Sequence, residues 1–317
     1  MHISVVICAH FDERWDDLTA AVASVRAQGP SPAEILVVVD GNPRLFARAQ
    51  AAFLDATVLP NTGAPGLAGA RNSGVAAATG DVVAFLDDDA EVTPNWLVRL
   101  AARYADPQVV GVGGAVVPRW IAPRPPWFPS EFNWVVGCDY ATPPADAVPV
   151  RNFIGANMSF RRDTLRSVGG FRTEFGRTGT RLLTGDETEM CIRIRQRWPE
   201  AVLLHAPDAL VHHCVPAARV RPSYFRVRCF AEGYSKARLA QIVGPRDGLA
   251  TERTYVRDTL RRGVARGIAD AVLRRDGAGA LRAGAILAGL AITAAGYGYG
   301  LLTERGEGRV RNVVHRA

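Results

Sequence analysis

Five apolar residues, Val82-Val83-Ala84-Phe85-Leu86, run without a break into Asp87-Asp88-Asp89. Such a β-branched and aromatic run is the composition of a strand buried on both faces. Three consecutive carboxylates cannot follow it into a core, because an unpaired buried charge is far too costly. The strand must therefore end at solvent, at a cation, or at both. Carboxylates two residues apart at a strand end can converge on one hard cation such as Mg2+ or Mn2+, which keeps further positions for phosphate oxygens. The plainer alternative is a solvated acidic turn.

The flanking chain repeats the strand pattern and alternates it with helices. Residues 3–8 and 34–39 read as buried strands, and 57–59 as a shorter one. Leu18, Val22 and Val25 at helical spacing mark a helix over 16–28, and residues 43–54 and 70–78 read as helices, the second after a Gly/Pro loop at 63–69. Thr93 and Pro94 predict the cap and first turn of a helix over 93–104. Strands follow at 109–117 and 154–161, a helical turn at 163–168 closed by Gly169-Gly170, a helix at 187–198, and short strands at 202–205 and 210–212. Residues 118–149 are rich in Pro and aromatics with no period, the mark of a functional loop or lid. The alternation implies an α/β, Rossmann-like and largely parallel sheet. Ligands of such sheets sit beyond the carboxyl ends of the strands. Ala9-His10, Asp40 and Asp87-Asp88-Asp89 all fall at such ends, so three strands feed one crevice.

Charge divides the chain. Residues 1–150 carry 9 Arg against 16 Asp/Glu, net −7, and residues 151–317 carry 29 Arg/Lys against 15 Asp/Glu, net +14, which sum to the overall +7. An acidic half suited to a cation precedes a basic half suited to phosphates or an anionic membrane. Nucleic acid is not expected, because aromatics are not interleaved with the basic residues in a recognisable module. Cys8, Cys138, Cys191, Cys214 and Cys229 show no C-x-x-C spacing, which fits a reducing compartment without disulfides or structural zinc. With a strand opening at residue 3, no secretory signal is expected, and the location follows as cytoplasmic, with the inner face of the plasma membrane as one option.

Six stretches stand in a fixed order: Ser4-Val-Val-Ile-Cys-Ala-His10, Val37-Val-Val-Asp40-Gly-Asn, Gly69-Ala-Arg-Asn-Ser-Gly74, Phe85-Leu-Asp-Asp-Asp89, Gly155-Ala-Asn-Met-Ser-Phe160 and Gly185-Asp-Glu-Thr-Glu-Met190. In this order the chain resembles the family 2 glycosyltransferases over roughly residues 3–215. The resemblance implies the GT-A fold, with a Rossmann-like mixed sheet and a helical C-terminal extension, a nucleotide-diphosphate sugar (UDP-sugar) donor, inversion at the anomeric carbon, and Mn2+ or Mg2+ as cofactor. Glu13-Arg14-Trp15-Asp16-Asp17 and Trp134-Val-Val-Gly-Cys-Asp139 look like archaeal and bacterial members that add hexuronic acids or hexoses to lipid-linked or polymeric glycans.

The roles implied by that resemblance are as follows. Ala9, His10 and Asp40 lie at the nucleobase, although the family often has Thr-Tyr where this chain has Ala9-His10. Asp87 faces the ribose or the metal, Asp89 ligates the metal, Asp88 sits between them, and Arg71 lies near the diphosphate, the alternative being a local ion pair. The general base is Glu187, with Asp186 as its rival, the family order of Glu then Asp being reversed here. One of His212 and His213 faces the metal, taken as His212, since strand neighbours point to opposite faces. Asn157 meets sugar hydroxyls or is a plain turn residue; Trp134, with Trp127 and Phe128, stacks on a sugar or forms a private core for its loop. Gln196-Arg197-Trp198 matches a processive signature only superficially, which favours transfer of a single sugar.

The catalytic part is expected over 1–220, with a nucleotide-binding half at 1–117 and an acceptor half at 118–220, and a basic helical extension over 221–317. Within the extension, residues 283–302 carry no charge but include five Gly and six Ala. That segment spans a membrane, lies on one, or packs against protein, as a catalytic-domain or homodimer contact. The partners that follow are a UDP-sugar and a glycan or glycolipid acceptor, with peripheral membrane contact as an option. The competing function is a nucleotide-sugar-binding protein without turnover. A nucleotidyltransferase would need a Gly-rich loop with a cation after the first strand, and Cys8-Ala9-His10-Phe11 has neither.

Overall fold

The computed structural model describes residues 1–29, 31–140, 145–177, 183–249 and 251–303. The chain divides into two compact units. One comprises Met1–Val117, Pro143–Thr178 and Asp186–Cys214, the other Pro118–Thr142, Gly179–Gly185 and Val215–Ala317.

Among the described residues the first unit is built on a mixed sheet of nine strands: β1 (Ile3–Ala9), β2 (Glu34–Val39), β3 (Thr57–Pro60), β4 (Val82–Asp87), β5 (Ala90–Val92), β6 (Val109–Trp120), β7 (Val148–Pro149), β8 (Asn157–Arg161) and β9 (Val202–Val215). The order is β3-β2-β1-β4-β8-β6-β9-β5, with β7 pairing β9. Strands β3, β2, β1 and β4 run parallel. The pairs β4–β8, β6–β8 and β5–β9 are antiparallel, so the sheet is mixed, as the resemblance implies, and parallel in one half only, where the strand–helix alternation alone implied a largely parallel sheet. The helices are α1 (Trp15–Arg26), α2 (Pro43–Ala52), α3 (Leu67–Ala77), α4 (Trp96–Arg103), α5 (Arg162–Ser167) and α6 (Asp186–Arg197). Val6, Val38, Val83 and Phe85 pack with Phe153, Met158, Phe160 and Met190 to form one core. Because β1 and β4 are adjacent and in register with Cys8 opposite Asp87, the acidic end of β4 lies beside the end of β1.

Beyond β5 and β7, which were not expected, and β8, which opens at Asn157 rather than at 154, two further elements depart from expectation. The α4 helix opens at Trp96, behind Asn95 at φ 66°, rather than at Pro94. Thr93 is used instead as a tie to the sheet, its hydroxyl donating to the Leu210 carbonyl at 2.9 Å. The two short strands expected at 202–205 and 210–212 are one strand, β9, which continues through Pro207.

The second unit contains a 3-10 segment, Ser130–Val136, and the helices α7 (Pro222–Val243), α8 (Pro245–Gly248), α9 (Glu252–Thr254), α10 (Arg261–Leu273) and α11 (Gly277–Leu302), with a π-helical turn over Tyr255–Leu260. Residues 118–140 thus pack with the C-terminal helices rather than standing out as a loop. Phe128 and Phe132 are fully buried and, with Trp127, meet Phe225 of α7, so Phe128 packs inside this unit. The α11 helix is long and apolar enough by length and composition to cross a membrane. One of its faces is occupied: a Cβ at Gly233 of α7 would come within 1.9 Å of the Thr293 carbonyl oxygen, and one at Gly296 within 2.1 Å of that of Phe230. Only glycine lets these two backbones approach so closely. All five cysteines are free thiols.

Candidate active site

At the tip of β4 the chain turns into β5, which pairs antiparallel with β9 so that Ala90 opposes His213 and Glu91 opposes His212. This register turns His213 inward and leaves His212 exposed. The inward residue is therefore His213, not His212. Its Nε2 lies 3.0 Å from Asp89 Oδ1 and 4.0 Å from Asp87 Oδ2. One ligand atom from each of Asp87, Asp89 and His213 falls within 4.8 Å of the other two. Two carboxylates and an imidazole converging at a strand end fit a divalent cation of the Mn2+ or Mg2+ class.

Arg14, in the 3-10 turn Asp12–Arg14 that follows β1, closes the other side. Its Nη1 donates to Asp88 Oδ1 at 2.8 Å and lies 3.2 Å from Asp89 Oδ2. Burial lowers its pKa, but the carboxylates of Asp89 and Asp88 more than reverse this and leave it raised. Burial pushes Asp88 up to about 7, with Arg14 opposing and the charge of Asp89 adding. Arg14 lies in the stretch Glu13-Arg14-Trp15-Asp16-Asp17 that carries part of the resemblance, but nothing in that stretch assigned it a role at the acidic triplet.

Arg71, on α3, is 3% exposed. Its Nη1 donates to Asp186 Oδ2 at 2.7 Å, and its Nη2 reaches Gly155 O at 3.1 Å and Asp87 Oδ1 at 3.5 Å. The Phe171 ring lies 5.5 Å from the guanidinium. A side chain at position 155 would meet the same Nη2 at 2.7 Å, which explains glycine there. Arg71, expected at the diphosphate, is thus committed to two carboxylates and a carbonyl. In consequence Asp87, at the end of β4, and Asp186, which opens α6, are held by one guanidinium.

Glu187 follows on the first turn of α6, half-buried and hydrogen-bonded to the Asp186 side chain. Burial pushes its carboxyl up to about 8, and the charge and hydrogen bond of Asp186 add to the shift. Glu189, in the same acidic cluster, is buried against Arg193 at 2.7 Å and Arg172 at 3.0 Å and has a packing role.

At the ends of β1 and β2, Asp40 N donates to Ala9 O at 2.8 Å, and His10 Nδ1 lies 2.6 Å from Asp40 O. These three residues come together as expected. The Asp40 carboxylate accepts from Asn61 Nδ2 at 2.7 Å and from Gly66 N at 2.9 Å, so it also shapes the loop entering α3. Asn157 is elsewhere: fully buried, it accepts from Trp96 Nε1 at 3.0 Å and donates to Ala115 O at 3.1 Å and Ala209 O at 2.7 Å. With its amide spent inside the sheet, it does not meet sugar. Trp134 belongs to the second unit, where its indole donates to the Tyr255 hydroxyl at 2.9 Å.

The profile of glycosyl transferase family 2 matches residues 4–169, more than half of the chain. The chain belongs to that family. Among its relatives, the glucosyl-dolichyl phosphate glucuronosyltransferase of Haloferax volcanii is 37% identical over 307 residues, 96% of this chain and 97% of the relative. The succinoglycan biosynthesis protein ExoM of Rhizobium meliloti is 27% identical over 75% of each chain. Among solved structures, the mannosyltransferase PcManGT of Pyrobaculum calidifontis, in complex with GDP-Man and Mn2+, aligns with a TM-score of 0.56 at 17% identity over 92% of this chain and 86% of that one. GalNAc-T7 with UDP, GalNAc and Mn2+ aligns with a TM-score of 0.51 at 19% identity, over 74% of this chain and half of that longer protein (50%). These likenesses show that this family 2 glycosyltransferase has the GT-A fold.

Proposed function

We propose that the chain is an inverting transferase that moves a hexose or hexuronic acid from a UDP-sugar to a sugar hydroxyl on a lipid-linked or polysaccharide precursor, at the cytoplasmic side of a membrane. The observation that carries this is the guanidinium of Arg71 shared between Asp87 and Asp186. It supports a single crevice in which a diphosphate and a proton acceptor are neighbours. Asp87, Asp89 and His213 would hold the cation, which supplies positive charge to the departing diphosphate.

Glu187 takes the proton of the acceptor hydroxyl as the new C–O bond forms and the bond to the diphosphate breaks in line, in one displacement with inversion. Its raised pKa suits it to hold that proton near neutrality, whereas the adjacent Asp186 is occupied by Arg71. Arg14 keeps Asp88 and one oxygen of Asp89 turned away from the cation position. Ala9, His10 and Asp40 line the base end, with lone pairs remaining on the Asp40 carboxylate for a further donor. The Haloferax glucosyl-dolichyl phosphate glucuronosyltransferase, 37% identical and matched over 97% of its length, supports an acceptor sugar carried on a lipid phosphate.

The test is Glu187→Gln, assayed with UDP-hexoses and UDP-hexuronic acids on a lipid-phosphate-linked sugar. Transfer is expected to fall by about 10²–10⁴-fold, the usual size of a general-base contribution, with UDP binding unchanged. Undiminished transfer would discard Glu187 as the base, and absence of transfer by the wild type with every donor would leave a binding protein.

A further inference from the structure

The α11 helix has two faces with different fates. One is closed against α7 through Gly233, Gly296 and Gly300 and against α10 through Gly267 and Gly279. On the other, every exposed residue is Gly, Ala or Leu, along a helix of 26 residues, roughly 39 Å at the α-helical rise. Leu281, Leu287 and Leu302 stand out from this face, and Ile268, Val272 and Leu273 of α10 are also exposed, Leu273 at 80%. Exposed Arg274 and Arg275 occupy the turn between the two helices.

We infer that the outer face of the α10–α11 hairpin docks flat on an anionic lipid bilayer without spanning it. Spanning is opposed by the first face. The α7 helix against which α11 is sealed carries Arg226, Arg228, Glu232, Lys236 and Arg238, and inserting α11 would drag those charges into hydrocarbon or tear the glycine contacts apart. A second copy of the chain is opposed by charge. Residues 261–302 hold six Arg against two Asp, net +4, and a two-fold contact would set that charge against itself. An anionic headgroup layer is complementary on both counts, because arginines rim an apolar helix face that needs only shallow burial. The choice of a bilayer also accords with the lipid-linked acceptor proposed above, on which it rests in that respect.

The experiment is co-sedimentation of the whole chain with vesicles of phosphatidylcholine alone or with phosphatidylglycerol at roughly 30 mol%, enough to make the surface anionic, with no sugar donor or acceptor. Its failure is therefore separable from failure of the transferase assignment. Partitioning is expected to be about tenfold or more stronger on the anionic vesicles and to lose that preference near 1 M salt, where screening acts within about 3 Å. Arg274→Gln with Arg275→Gln should weaken it about 25-fold, at roughly fivefold per arginine. Leu273→Glu with Leu287→Glu should remove it while leaving the thermal melt and UDP binding intact. Equal binding to both vesicle types, resistance to alkaline carbonate extraction, or dimerisation in sedimentation velocity that the Leu→Glu pair relieves would each overturn the inference.

Discussion

Arg71 and Glu187 show how a few residues tie this site together. A buried guanidinium with one carboxylate on each arm fixes the spacing between a candidate metal ligand and the candidate base cluster. Glu187 holds its proton up to about pH 8 in the folded chain against an ordinary value of 4.5. Two consequences follow, each with its sign. For catalysis the base must be deprotonated, so kcat/KM should climb with pH through a midpoint near 8 and level off only above it, with Glu187→Gln flattening the profile. For stability, the unfolded chain sheds this proton between 4.5 and about 8 while the folded chain keeps it, so the carboxyl contributes a loss of stability as pH rises through that window. Urea titrations at pH 5 and pH 8 should show a smaller pH-dependent loss in Glu187→Gln than in the wild type. The two histidines give a cleaner contrast. His213→Ala should weaken Mn2+ binding about tenfold or more, by the scale on which metal-site partners act, and His212→Ala should leave it unchanged, as read by Mn2+ paramagnetic resonance.

At the scale of elements, the legible and the illegible parts of the sequence separate for physical reasons. Strands β1, β2 and β4 could be read almost to the residue because a strand covered on both faces is an unbroken apolar run, and their ends named Ala9, His10, Asp40 and Asp87 correctly as neighbours. The choice between His212 and His213 was not legible, because it depends on which residue of β5 opposes which residue of β9, a register between strands far apart in the chain. Asn157 misled because an amide in a Gly-Ala-Asn stretch is chemically suited to a sugar, and nothing local reveals that Trp96, Ala115 and Ala209 will consume it. Arg14 stood in a stretch that carried part of the resemblance, but its role was not legible, because a single 3-10 turn has no period to mark a face.

The glycines of α11 supply a prediction at this same scale. Gly296→Ala would set a methyl 2.1 Å from the Phe230 carbonyl oxygen, whereas Gly298 has nothing within 4 Å. The first change should destabilise the protein by about 1–3 kcal/mol, the size of an overpacked contact. The second should stabilise it by up to about 1 kcal/mol through helix propensity. Thermal melts of the two single variants check both signs.

For the molecule as a whole, the residues proposed for catalysis all lie in the sheet unit and the residues proposed for lipid all lie in the helical unit. Hydrogen exchange should therefore separate them. UDP with Mn2+ is expected to slow exchange at the ends of β1, β2 and β4 and at the start of α6, leaving α11 unchanged, and anionic vesicles should do the reverse. The backbone passes from one unit to the other five times, at residues 117/118, 142/143, 178/179, 185/186 and 214/215. Neither unit is a continuous piece of chain, so the helical part cannot be trimmed away as an appendage. Cutting after residue 220 would strip Phe128 and Phe132 of Phe225 and leave bare aromatic surface on what remained. The ribosome meets the same difficulty: those rings emerge about a hundred residues before their cover is synthesised, and until then a nascent chain must be shielded from its neighbours.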